Sequence, residues 1–94
     1  MEQVKKIDVI LPEAVMRPFL DLLGHDAVLA YTVATGLAGR THRGLATAGL
    51  TDAAVTVICR AEGVGELVAD IAAFLARFGG IATASDATGI NVTK

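Results

Sequence analysis

Two arginines, a hydroxyl group and several glycines are concentrated in residues 36–44, whose sequence is GLAGRTHRG. Arg40 and Arg43 carry planar guanidinium groups whose multiple donors match the oxygens of a phosphate. Gly39 and its neighbouring glycines let backbone N–H groups approach an anion closely. The segment therefore fits a phosphate cradle, and it fits equally well an exposed loop whose arginines only solubilise it. The length of the loop, residues 35–52, slightly favours function, because loops longer than about 12 residues are uncommon in compact domains.

A second candidate segment is FGGI at residues 78–81, directly after a helical pattern. Gly79 and Gly80 give the backbone the positive φ angles that a helix end needs. The same backbone could present its polar groups to a flat base. Taken alone, the segment is more typical of a plain helix end than of a binding site.

The rest of the chain lacks the spacings that are typical of catalytic and metal sites. His25 and His42 fall on different turns, and no P-loop, paired-cysteine motif or nucleophile elbow occurs. The single cysteine, Cys59, excludes an intramolecular disulfide framework and is expected to be a small buried hydrophobic residue. The sequence predicts a protein that is not an enzyme and holds no metal.

The composition is that of one small, apolar and nearly neutral domain. The chain has 94 residues, a formal net charge of −2 and 53% hydrophobic residues. Eight Lys and Arg against ten Asp and Glu argue against electrostatic binding to nucleic acid. The most apolar helical stretch, residues 64–78, is shorter than the roughly 20 residues of a membrane span, and no signal peptide is recognisable. We expect a cytoplasmic protein that buries its excess of apolar surface by self-association.

The hydropathy periods predict four strands and two helices in the order β-α-β-β-α-β. Strand patterns cover residues 5–11, 28–34, 53–59 and 81–85, and helical spacing covers residues 13–23 and 62–78. We predict a single α+β, ferredoxin-like domain over residues 1–94, an antiparallel four-stranded sheet with both helices on one face. The tail, residues 87–94, is expected to be loose. The helix-free face would expose Ala, Val and Ile, which packing around a symmetry axis would cover.

The sequence also predicts an ion pair, the start of the first helix and two aromatic core residues. Glu13 and Arg17 have the spacing of an i,i+4 ion pair. Pro18 requires a helix that kinks or that begins late enough to place it in the first turn. Phe19 and Tyr31 are expected in the core.

The sequence resembles the PII-like signalling proteins, and within them the carboxysome-associated proteins and the regulators of the sodium-dependent bicarbonate transporter. The resemblance rests on YTV at residues 31–33, on the G-x-x-G-R-x-x-R-G loop, and on the FGGI…SD segment at residues 78–86. In element order it covers nearly the whole chain. It implies a ferredoxin-like homotrimer that binds adenine nucleotides between subunits. It also implies a flexible T-loop, residues 35–52, that docks on a partner.

The resemblance also implies the following site, ligands and partners. Thr32 would lie near the adenine. The residues implied around the phosphates are Gly39, Arg40 and Arg43, and those implied around the base are Gly79, Gly80 and Ile81. ADP, ATP, AMP or cyclic AMP would be the effector, with bicarbonate as a candidate second ligand. The partner would be a bicarbonate transporter or a carbon-metabolism protein, so the chain could be recruited to a membrane transporter or a carboxysome without inserting into the membrane.

Several departures from the family narrow this hypothesis. Ala30 stands where a glycine often precedes the Tyr-Thr pair, and the loop has no tyrosine for modification. The basic segment after the second helix is missing, which argues against glutamine or 2-oxoglutarate sensing. The cysteine-containing extension of some transporter-linked relatives is missing too, so redox-gated nucleotide hydrolysis is not expected. Two other functions suit the same topology: an ACT-like domain that binds a small effector, and a microcompartment shell subunit.

Overall fold

The computed structural model describes residues 2–38 and 51–92. In chain order, the elements are strand β1 (Glu2–Pro12), a 3-10 turn (Glu13–Val15), helix α1 (Met16–Leu22), strand β2 (Val28–Leu37), strand β3 (Asp52–Arg60), helix α2 (Val64–Phe78) and strand β4 (Ile81–Gly89). The strands form one sheet in the order β2-β3-β1-β4, in which every neighbouring pair is antiparallel. The predicted ferredoxin-like βαββαβ fold is confirmed.

One face of the sheet carries the hydrophobic core. In β1, Ile7, Val9 and Leu11 alternate with more exposed residues, and Ile7 lies opposite Val57 of β3 and Ala84 of β4. This face is covered by both helices, whose core residues are Phe19, Leu67, Ile71 and Leu75, and by Leu23 directly after α1. Because side chains alternate between faces, the register that places Ile7 against Val57 also directs the other apolar residues of β1 and β3 into the core.

Two of the expected core residues are buried and one is exposed. Phe19 is fully buried, with its ring edge-on to Phe74 at 5.4 Å between centroids. Cys59 is also fully buried, and burial raises the pKa of its thiol. Tyr31 is 44% exposed, so its expected place in the core is wrong. It lies opposite Val57 on the helix-covered face, but β2 is an edge strand and α1 is only seven residues long.

Helix α1 begins later than the sequence predicts. The 3-10 turn occupies residues 13–15, so Pro18 becomes the third residue of the helix. The N–H groups of the first turn have no partner within a helix, so proline costs no hydrogen bond there. The expected pair between Glu13 and Arg17 does not form, because Glu13 lies in the 3-10 turn and bonds elsewhere. Among the described residues, the ion pairs are Lys5–Asp86, Lys6–Asp8 and His25–Glu66.

The face without helices is less apolar than expected. A row of side chains crosses it with one residue from each strand, in the order Thr32, Thr56, Asp8 and Thr83. The Thr56 hydroxyl donates to Oδ1 of Asp8 at 2.9 Å. Val9 of β1 and the valines of β3, Val55 and Val57, lie in the core on the helix-covered face. A partner on this face would therefore meet a polar row between apolar residues.

Strand β4 is longer than the predicted residues 81–85, and the expected loose tail 87–94 is partly wrong. Ala87, Thr88 and Gly89 pair with the first residues of β1. Gly89 is buried, and a Cβ there would overlap Val92 and lie only 3.1 Å from the Val4 side chain. The absence of a side chain at Gly89 thus lets residues 90–92 fold back onto the sheet. Of the predicted loop, residues 35–37 belong to β2 and Asp52 to β3, and residues 39–50 lie outside the described part of the chain.

The two glycines that end α2 should differ in their tolerance of a side chain. Both have positive φ, 91° at Gly79 and 127° at Gly80. A Cβ at Gly79 would meet nothing within 4 Å, whereas one at Gly80 would lie 2.8 Å from the carbonyl oxygen of Ile10. We expect Gly79→Ala to lower the free energy of unfolding by about 1–3 kcal/mol through backbone strain. Gly80→Ala should cost about 1–3 kcal/mol more through overpacking. Urea denaturation measures both, and equal losses would contradict the close approach at Gly80.

Candidate functional site

The two candidate segments leave the sheet at the same end. The register places Pro12 opposite Asp52, and Asp52 opposite Leu37. In β4, Ile81 lies opposite Ile10. The base of the arginine-containing loop and the glycine turn before β4 therefore share one end of the sheet, with the end of β1 between them.

A carboxylate at the end of β1 joins both strands at the base of the loop. Oε1 of Glu13 accepts hydrogen bonds from the Gly36 N–H at 2.9 Å and from the Thr51 hydroxyl at 2.6 Å. The Glu13 backbone N–H donates to the Thr51 carbonyl oxygen at 3.1 Å. The Thr51 hydrogen bond, followed by that from Gly36, lowers the pKa of Glu13. We call this arrangement of Glu13, Gly36 and Thr51 the loop-base clasp.

Sequence reasoning missed the loop-base clasp. Its side-chain bonds join residues 23 and 38 positions apart, so no local spacing signals them. The local signal at Glu13 favoured Arg17 instead. Only the strand register could have predicted this contact. It pairs Pro12 with Asp52, so the next residue, Glu13, lies beside the start of β3.

Thr32 lies in the middle of β2, exposed on the helix-free face. It faces Thr56 across the ladder, and Thr56 in turn donates to Asp8. Nζ of Lys6 lies 3.8 Å from Oδ2 of Asp8. The Thr32 hydroxyl thus stands at the outer end of a polar row and is accessible to a ligand that approaches the β2 edge.

The glycine turn borders an apolar groove of about 310 Å³ between α2 and β4. The Gly79 N–H donates to the Leu75 carbonyl oxygen at 2.8 Å, so this amide completes the helix end and is occupied. Ile81 is 55% exposed. The remaining walls are formed mainly by Val68, Ile71, Ala72 and Leu75 of α2 and by residues 82–84 of β4. Such a lining can accept a flat, apolar group, and the size falls at the lower end of small-molecule sites.

One copy of the chain does not bring the candidate residues together. Thr32 is on β2 and Ile81 begins β4, and these strands form opposite edges of the sheet. With neighbouring strands about 4.8 Å apart, the two edges are roughly 14 Å apart. Gly80 and Ile81 line the groove at the β4 edge. The structure does not describe Gly39, Arg40 and Arg43.

Other polar clusters in the described part have structural roles. Nδ1 of His25 accepts the Ala27 N–H at 3.0 Å, and Nε2 lies 3.1 Å from Oε1 of Glu66. Because Nδ1 accepts, the proton of the neutral ring is on Nε2 and is donated to Glu66. Within residues 2–38 and 51–92, no group of three or more His, Cys, Asp and Glu is placed to hold a metal ion. None of the helices in this part has the length and apolarity to cross a membrane.

The loop-base clasp should weaken in acid, because protonation of Glu13 removes the charge that strengthens its hydrogen bonds. Because the folded-state pKa of Glu13 lies below its ordinary value of 4.5, the contribution of its ionised form is complete above that value. It is lost as the pH falls through the folded pKa. We expect the NMR amide proton shift of Gly36 to titrate with an apparent pKa below 4.5. Glu13→Gln should abolish this titration, and a Gly36 titration that survives the substitution would contradict the assignment.

No protein-family model and no curated protein matches the chain in sequence. Among solved structures, the chain is similar to CPII from Thiomonas intermedia K12, a nitrogen regulatory PII-like protein. The CPII structure bound to ADP, AMP and acetate gives a TM-score of 0.80 and 22% identity, covering 96% of this chain and 91% of that chain. The CPII structure bound to ADP and bicarbonate gives a TM-score of 0.78 and 23% identity, covering 93% of this chain and 88% of that chain.

The similarity extends to a second source. A Thermus thermophilus protein described as a PII-like signaling protein gives a TM-score of 0.73 and 11% identity, covering 95% of this chain and 91% of that one. The comparisons with both sources cover nearly the whole length of each chain. The fold of this chain is therefore that of the PII-like proteins.

Proposed function

We propose that this chain is a non-enzymatic PII-like regulatory protein that binds adenine nucleotides between subunits and acts on a protein partner. The observation that carries the proposal is that the candidate site is divided between two places, which we call half-sites, at opposite edges of one sheet. The arginine-containing loop after β2 and the glycine turn before β4 leave the sheet at the same end. The PII-like fold supports the ligand class, because similar structures of CPII contain ADP, AMP and bicarbonate. Thr32 and the segment of Gly79, Gly80 and Ile81 are the half-sites.

A homotrimer would join the half-sites. The β2 edge exposes Tyr31, Val33 and Leu37, and the α2–β4 edge exposes Val68, Phe78 and Ile81. The two edges differ, so contact between them is heterologous and generates a ring when the rotation closes. A ring of three follows from the resemblance to PII-like proteins. Each contact would bring Thr32 of one subunit to the apolar groove of the next.

In the proposed complex, the base and the phosphates of the nucleotide bind to different surfaces, one apolar and one basic. The apolar groove beside Gly80 and Ile81 suits the flat adenine ring. Gly39, Arg40 and Arg43 would bind the phosphates, since guanidinium groups form strong, multidentate hydrogen bonds with phosphate oxygens. ADP, ATP, AMP and cyclic AMP are the candidates, and bicarbonate is a candidate second anion because CPII binds it together with ADP.

The partner proposal follows from the T-loop. Residues 39–50 join the ends of two strands and carry both arginines of the candidate phosphate site. A nucleotide that binds these arginines would change the surface that the loop offers to another protein. We propose a bicarbonate transporter or a carbon-metabolism protein as the partner, with the chain in the cytoplasm or recruited to a membrane transporter or carboxysome.

Replacement of the loop arginines should weaken nucleotide binding. We expect Arg40→Ala to lower adenine nucleotide affinity by roughly one to two orders of magnitude, because one charge-assisted hydrogen bond contributes about 1.5–3 kcal/mol. Arg43→Ala should have a smaller effect. Calorimetric titration of AMP, ADP, ATP and cyclic AMP measures the affinities, with Arg17→Ala, an exposed arginine of α1, as the matched control. Unchanged affinity in both loop variants would contradict the phosphate site, and no binding by the wild type would favour the ACT-like or shell function.

The oligomeric state tests the joined half-sites independently of any ligand. We expect a trimer in sedimentation velocity experiments without nucleotide. Val33→Asp on the β2 edge and Ile81→Asp on the β4 edge should each shift the population to monomers, because each places a charge in an apolar contact. Gln3→Asp, on the central strand at the far end of the sheet, is the control. A wild-type monomer, or trimers in both edge variants, would contradict the proposal.

A further inference from the structure

We propose that Glu13 is a positioning residue for nucleotide binding, because its carboxylate fixes the strand ends from which the T-loop departs. This inference rests on the proposed function and extends it to a residue that need not touch the nucleotide. Glu13 bonds to Gly36 at the end of β2 and to Thr51 just before β3. One side chain thus holds both ends of the segment.

Backbone contacts at the end of β1 hold Glu13, and with it the loop-base clasp, next to the start of β3. The Glu13 N–H donates to the Thr51 carbonyl oxygen, and the preceding residue, Pro12, lies opposite Asp52 in the β1–β3 ladder. Thr51 is therefore held by its carbonyl and by its hydroxyl. The carboxylate follows directly after β1, an inner strand of the sheet, and cannot move away from that strand end without breaking these bonds.

The β2–β3 ladder alone does not fix the end of β2. Its pairing is irregular between Ala34 and Leu37, because Ala34 lies opposite Ala54 and Leu37 lies opposite Asp52. This irregularity contains Gly36, whose φ of +71° is left-handed. Such a bulge turns the backbone out of the regular ladder. Within this irregularity the Gly36 N–H donates to Glu13, so the carboxylate holds the strand end where the regular pairing is interrupted.

The consequence for binding is preorganisation. A segment with fixed ends loses less conformational freedom when a ligand orders it than one with free ends. Gly36 precedes Arg40 by only four residues, so the position of the β2 end limits where that guanidinium can reach. Loss of the Glu13 acceptor should weaken nucleotide binding even though the charge removed is itself negative and would, by electrostatics alone, favour an anion.

A positioning role and an electrostatic role of Glu13 predict opposite changes in nucleotide affinity, so variants of Glu13 distinguish them. We expect Glu13→Ala to weaken ADP and ATP binding roughly tenfold in calorimetry, about the loss of one hydrogen bond to a charged group. Glu13→Gln keeps an acceptor oxygen for Gly36 and Thr51 and removes the charge, so it should retain most of the affinity. A merely electrostatic role would make both variants bind more tightly. Glu62→Ala removes an exposed carboxylate beyond the opposite end of β3 and is the control.

Thr51 offers a second pair of variants that leaves Glu13 in place. Thr51→Val keeps the shape and loses the hydroxyl donor, so it should weaken binding in the same direction as Glu13→Ala. Thr51→Ser keeps the hydroxyl and should restore the affinity. Thermal unfolding of each variant, read by circular dichroism, identifies any that fail to fold.

The outcomes separate this inference from the proposed function. Unchanged or tighter binding by folded Glu13→Ala overturns the positioning role, whereas wild type that binds no adenine nucleotide overturns the proposed function. In the latter case the clasp itself is still tested on the free protein by Gly36 amide exchange. Faster exchange in Glu13→Ala, with Glu13→Gln close to wild type, supports the fixed strand ends, and equal exchange in all three overturns them.

Discussion

The pairing of β1 with both of its neighbours is the constraint on which the rest of the structure depends. Ile7 lies between Val57 and Ala84, and this register places the alternate apolar residues of three strands on the face that the helices cover. A shift by one residue would send them to the opposite face. The same register brings the end of β1 beside the start of β3, which is where Glu13 meets Thr51. The hydrophobic core and the position of the loop-base clasp therefore both depend on the register of β1 with its neighbouring strands.

In the proposed oligomer, each subunit would supply only part of the ligand site. A four-stranded sheet has two edges, and here each edge exposes apolar side chains at one of the candidate half-sites. Burial of apolar surface is favourable at roughly 25 cal/mol per Å², so joining unlike edges would both stabilise an oligomer and assemble a ligand pocket. Assembly and binding are coupled in such an arrangement, since the ligand would contact two subunits at once. The polar row through Asp8 interrupts the apolar residues of the helix-free face.

The sequence predicted the features that depend on local periodicity. The element order, the buried Phe19 and Cys59, and the helix end at Gly79 follow from spacing within one element and are confirmed. Features that depend on long-range register were missed. The extension of β4 to Gly89 requires pairing with the first residues of β1, and the exposure of Tyr31 requires knowing that β2 is an edge strand. The candidate half-site residues follow from short motifs and the resemblance to PII-like proteins and stay predictions, whereas their places at opposite edges could be seen only in the sheet order.

Glu13 shows why a local rule can select the wrong partner. The i,i+4 rule pairs it with Arg17 across a helical turn, an exposed contact that contributes only about 0.2–0.5 kcal/mol. The observed geometry gives the same carboxylate two short hydrogen bonds and a backbone anchor instead. One of those bonds comes from the Gly36 N–H, which lies in the irregular part of β2. Two hydrogen bonds to a carboxylate contribute more than one weak surface ion pair, so the bulge that places the Gly36 N–H beside Glu13 favours this partner over Arg17.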